Sequence, residues 1–201
     1  MRRRTLAAAH GGKPGGGIPQ KYTPVGFLQS SGTQYIDVGL TLTQNSGIRI
    51  DLQLVRAMTG NLFGARETAA KNNFSAYILK SPTRIYFDFG SSSTNRRYFD
   101  YSLKRTTFEV DKSGVKLNGS LAASFAAVDD FETPTALLFD IGNTDGNTKI
   151  AAKIYGCKFF ENGELTADLR PCLDADGAPC FYDTVRRKAL YNQGAGSFTW
   201  G

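Results

Sequence analysis

Two aromatic runs carry the most suggestive side chains in this sequence. Arg84-Ile85-Tyr86-Phe87-Asp88-Phe89 is followed, after a Gly/Ser-rich stretch, by Arg96-Arg97-Tyr98-Phe99-Asp100-Tyr101. Paired antiparallel with Tyr86 opposite Tyr98, they set Arg84 against Asp100 and Asp88 against Arg96 on one face. Ile85, Phe87, Phe89 and Phe99 then turn to the other face, into a core. Tyrosine rings stack on the apolar face of a pyranose, and Asp and Arg hydrogen-bond its hydroxyls, so this face has the makings of a sugar platform. The same pattern also stabilises a plain strand pair, because each charge already has a partner.

Other groups are less complete. A retaining glycosidase needs two carboxyl groups about 5 Å apart. Glu109-Val110-Asp111 offers one half, and Lys112-Ser113-Gly114-Val115 follow where a second glutamate would stand. Asp129-Asp130, Asp140 with Asn143 and Asp145, and Asp174 with Asp176 offer oxygens to a calcium ion. None completes a calcium-loop motif, and Asn and Asp are the ordinary residues of turns, so no cofactor is expected. Cys157, Cys172 and Cys180 are an odd set without a neighbouring histidine, which argues against zinc and against a disulfide framework. Cys172 and Cys180 are close enough in sequence to pair, with two unlinked thiols the preferred reading. His10 is the sole histidine and lies in the N-terminal segment, so the rest of the chain lacks the commonest general base.

The elements that must position these groups are strands. Turn signals at Asn45-Ser46-Gly47, Ser91-Ser92-Ser93, Lys112-Ser113-Gly114, Asn118-Gly119 and Asn162-Gly163 separate short apolar runs. Between Gly47 and Val55, Ile48, Ile50, Leu52 and Leu54 alternate with Arg49, Asp51 and Gln53, a period of two that no amphipathic helix shows. Aromatic content of 12% points the same way. Further strands are predicted near 74–79, 84–89, 96–101, 106–111, 114–118, 136–141, 149–160 and 164–169. Ser120 to Val128, rich in alanine, is predicted as at most one short helical turn. The fold class is all-β, a two-sheet antiparallel sandwich over residues 22–201. Trp200 is expected to cap its edge.

Residues 1–21 are expected to form a separate, flexible, Gly-rich leader. They hold Arg2, Arg3, Arg4, Lys13 and Lys21 and no acid, which is most of the net charge of +6. The remainder is nearly neutral, which argues against a nucleic-acid-binding face. No apolar stretch is long enough to span a bilayer, and Leu6-Ala7-Ala8-Ala9 is too short for a signal peptide, so no secretion by its own signal is expected.

The closing segment runs Lys153-Ile154-Tyr155-Gly156-Cys157-Lys158-Phe159-Phe160, then Leu169-Arg170-Pro171-Cys172, Phe181-Tyr182-Asp183 and Tyr191-Asn192-Gln193-Gly194. The opening runs Gly26-Phe27-Leu28-Gln29-Ser30-Ser31-Gly32-Thr33-Gln34-Tyr35-Ile36-Asp37. Together they resemble the concanavalin A-like, laminin-G-type jelly rolls of bacteriophage and prophage virion proteins. The resemblance implies a non-enzymatic module carried in several copies on a capsid, tail or fibre. Such a module would be made in the bacterial cytoplasm and would contact host-surface carbohydrate. In that setting Tyr86, Tyr98, Asp88, Asp100, Arg84 and Arg96 would meet the sugar, and Arg2, Arg3, Arg4 and Lys13 would anchor the leader to other virion proteins. The alternatives are a structural decoration protein without a glycan ligand and, behind it, a β-glucan hydrolase.

Overall fold

A computed structural model describes residues 17–68, 70–80, 84–142 and 149–201. Among them there is no helix. The strands are β1 (Thr23–Pro24), β2 (Leu28–Gln29), β3 (Ile36–Thr43), β4 (Ser46–Leu54), β5 (Gly60–Arg66), β6 (Asn73–Leu79), β7 (Arg84–Gly90), β8 (Arg96–Asp100) and β9 (Thr106–Asp111). They continue as β10 (Gly114–Leu117), β11 (Ser120–Ser124), β12 (Glu132–Leu138), β13 (Ala152–Glu161), β14 (Glu164–Leu173), β15 (Pro179–Asp183), β16 (Lys188–Tyr191) and β17 (Thr199–Trp200).

These strands form two antiparallel sheets that pack as a sandwich. The larger runs β11-β10-β9-β4-β13-β14-β15-β16, with β1 on β14 and β2 and β17 added beside β13. The smaller runs β3-β12-β5-β6-β7-β8. Alternation drives the layering. In β4, Ile48, Ile50, Leu52 and Leu54 are buried, while Arg49 is exposed and Asp51 and Gln53 are half-buried. In β7, Ile85, Phe87 and Phe89 are buried on the opposite side of the same core. The rings interlock within it, Phe87 with Phe108 of the large sheet at 5.5 Å and Phe89 edge-on with Phe131, the residue before β12, at 5.3 Å.

The structure corrects the reading of Ser120–Val128. Ser120–Ser124 is strand β11, not a helical turn, and pairs with β10 so that Gly114 faces Ser124. Asn118 (φ 50°) and Gly119 (φ 85°) both take the left-handed conformation, and this turn folds the alanine-rich segment straight back onto β10. Strand β14 runs on to Leu173, past the predicted end at 169. Pro171 lies within it and its carbonyl accepts a bond from the Val25 amide at 3.1 Å. Thr199–Trp200 pairs with Leu28–Gln29 through the backbone, and its indole stays 52% exposed.

Candidate functional site on the outer face of the small sheet

The pairing of β7 with β8 follows the charge pattern. Arg84 faces Asp100, Tyr86 faces Tyr98 and Asp88 faces Arg96. Arg84 Nε donates to Asp100 Oδ1 at 3.2 Å. The Arg96 guanidinium grips Asp88 with two bonds, Nε to Oδ1 at 2.8 Å and Nη2 to Oδ2 at 3.0 Å. All six predicted residues therefore share one face, directed away from the core.

Strands β5 and β6 contribute partners that the sequence reading did not single out. Arg66 reaches from β5 to β7, where its Nη2 donates to Asp88 Oδ2 at 2.5 Å and its Nε to Asn73 Oδ1 at 2.7 Å. Asp88 is 1% exposed and Arg66 only 7%. A carboxylate thus sits between two guanidinium groups, out of water, on the side of the sheet away from the core. Asp88 holds the cluster together, because removing it strands the buried Arg66 cation. The bonds to Asp88 hold Arg96 above the usual guanidinium range.

Beside the cluster lies a row of rings. Tyr77 stacks on Tyr86 at 5.2 Å with the planes 9° apart, and Tyr86 meets Tyr98 at 5.5 Å, tilted by 39°. Arg66 and Arg96 both lie near the Tyr77 ring, at 5.1 and 5.7 Å, and Arg84 lies 4.6 Å from that of Tyr98. Burial pushes the Tyr77 phenol up. The row has a gradient of exposure: Tyr77 is 9% exposed, Tyr86 half-buried and Tyr98 53% exposed. Tyr86 is flanked by a ring on each side, so Tyr98 is the ring that offers apolar surface to a ligand. Next to Asp88, the Ser75 Oγ is buried without a hydrogen-bond partner. Gly64 lies opposite Ser75, and its φ of +110° leaves no room for a side chain, since a Cβ there would sit 2.0 Å from the Phe74 carbonyl.

The other predicted groups are held locally. Glu109 forms an ion pair with Arg49 at 3.6 Å, and Asp111 Oδ1 accepts from the Ser113 amide at 2.7 Å in the β9–β10 turn. A cavity of about 590 Å³ beside them is lined by Asn45, Arg49, Glu109, Asp111, Lys112 and Asn162, away from the tyrosine row. Asp174 closes its own turn by accepting from the Asp176 and Ala178 amides, and these bonds hold its carboxyl below the usual range. Asp130 accepts from Gln44 at 2.6 Å, and Asp140 pairs with Lys149 at 3.1 Å. Asn143 and Asp145 lie outside the described residues. Among those described, no group of three or more side chains is arranged to hold a metal ion.

Cys172 and Cys180 are direct cross-strand partners with free, buried thiols whose sulfurs are 3.4 Å apart. They sit in a small apolar cluster under Ile18 and Tyr22, with the Tyr22 ring 4.8 Å from that of Tyr182. Arg2, Arg3, Arg4 and Lys13 lie outside the described residues.

No family model matches the chain, and no curated protein matches it.

Proposed function

We propose that this chain is a non-enzymatic binding module of a virion, displayed on a capsid, tail or fibre, that contacts host-surface carbohydrate with the outer face of its small sheet. The observation that carries the reading is the exposed Tyr98 ring at the end of the tyrosine row, beside the Arg66–Asp88–Arg96 cluster. A ring of this kind takes the apolar face of a sugar, and Arg84, Arg96 and Asp100 border it with hydrogen-bonding groups. The virion setting rests on the resemblance of the opening and closing segments. Weak single contacts are then multiplied by copy number. The basic leader serves as the anchor to the particle.

The test is retention on a panel of bacterial surface glycans. Tyr98→Ala lowers retention, while Tyr86→Ala acts mainly through the fold. Retention equal to wild type in Tyr98→Ala removes this face as the sugar site. For the anchor, a chain lacking residues 1–20 fails to enter particles while keeping its fold, and normal incorporation refutes that role.

A second reading, a structural decoration protein with no glycan ligand, is favoured by one specific observation. Arg84, Arg66, Arg96, Asp88 and Asp100 are already bonded to one another. Under this reading every glycan is bound equally poorly by wild type and by Tyr98→Ala.

A further inference from the structure

Strand β8 ends the small sheet, and no described strand pairs with its far side. The Phe89 amide donates to the Asn95 carbonyl at 3.3 Å. By the alternation of an antiparallel ladder, Arg97 and Phe99 then direct their backbone groups to β7. Arg96, Tyr98 and Asp100 direct theirs outward, and all three residues are exposed. The Arg96 carbonyl is shielded by Arg97 Nη1 at 2.9 Å. Beyond it stands an open ladder edge, which is a template for another strand.

Edge strands commonly carry charges that repel a second chain. Here the signs are arranged for the opposite result. When a second β8 approaches antiparallel about a two-fold axis at Tyr98, Arg96 of each copy faces Asp100 of the other, and Tyr98 faces Tyr98. This is the same set of pairs that β7 already makes with β8. A slip of two residues leaves Arg96 and Asp100 opposite uncharged residues. A slip of four sets Arg96 on Arg96 or Asp100 on Asp100, which is repulsive. The charge pattern therefore selects one register for a pairing of β8 with itself.

We propose that β8 pairs with β8 of a second copy of this chain, joining two six-stranded sheets into one continuous sheet through an isologous interface. The tyrosine rows of both copies then run into each other across the axis. The pairing gives Tyr98 a ring on its free side and so bears on the carbohydrate reading, but the two are read separately: mass reports the one, glycan retention the other.

Light scattering over a concentration series of the full chain tests it. Wild type moves from 21.9 kDa toward twice that mass as concentration rises. Tyr98→Pro removes an amide that faces outward and leaves the bonds to β7 intact, so it holds the chain at the single mass. The double change Arg84→Asp with Asp100→Arg keeps the internal ion pair but sets an arginine against Arg96 of the second copy. It too stays at the single mass, with an unchanged β-sheet circular-dichroism spectrum. This second variant decides the matter if the proline fails to fold. A wild type that keeps the single mass at every concentration overturns the proposal, and so does a dimer that survives the charge exchange.

Discussion

The outer faces of the two sheets carry the same ingredients, tyrosines, arginines and aspartates, in opposite arrangements. On the small sheet, Asp88 is buried under Arg66 and Arg96, and the tyrosines lie against one another and end at an exposed ring. On the large sheet, Asp51 keeps 27% of its side chain exposed and pairs with a more exposed Arg105. Arg105 lies over the Tyr155 ring at 3.8 Å, and Lys153 over the Phe27 ring at 4.2 Å. There the cations cover the aromatic faces. On the small sheet Arg84 also lies over the Tyr98 ring, at a longer 4.6 Å, yet that ring keeps 53% of its surface exposed beside an ion cluster built on the buried Asp88 and Arg66. Equal chemistry thus leaves half-buried rings on one sheet and a half-exposed tyrosine on the other, and burial is the variable that separates them.

That contrast can be broken by mutation, most severely at its buried end. Asp88→Ala leaves Arg66 buried and uncompensated, and should lower unfolding stability in urea by about 3–5 kcal/mol. A loss below about 1 kcal/mol would mean that the cluster is hydrated and that the two faces differ little. Raising pH gives a smaller effect. Burial pushes the Tyr101 phenol up to about 12. A folded-state pKa above the unfolded value near 10 means that its contribution is fully present below pH ~10 and is lost as pH climbs through about 12. The melting temperature should therefore fall over that window, and less so in Tyr101→Phe. The thiols sharpen the picture next. Burial pushes Cys157 well above the ordinary thiol range, so an alkylating reagent should modify it only after unfolding. At the small end, Asp51→Ala breaks an exposed ion pair and should cost under about 1 kcal/mol in the same urea titration.

Much of the small-sheet face was legible in the sequence, because Arg84 with Asp100 and Asp88 with Arg96 admit one antiparallel register. The rest was not, for reasons of geometry. Arg66 acts on Asp88 from two strands away, and β5 reaches β6 through an irregularity between Asn61 and Phe63. No fixed spacing along the chain encodes that approach. Tyr77 was in reach, since Asn73, Ser75 and Tyr77 alternate with Phe74, Ala76 and Ile78, and a strand opposite β7 would have placed it beside Tyr86. The error at Ser120–Ser124 has a different origin. Alanine-rich composition favours helix locally, and a two-residue turn at Asn118-Gly119 outweighs it by delivering the segment to the edge of β10.

The most direct measurement is glycan retention compared between Tyr98→Ala on the small sheet and Tyr155→Ala on the large one. Loss of one open stacking surface, worth about 1 kcal/mol, should lower affinity by about fivefold in Tyr98→Ala and leave Tyr155→Ala near wild type. Loss of binding in Tyr155→Ala with Tyr98→Ala unaffected would put the ligand on the large sheet and contradict the account.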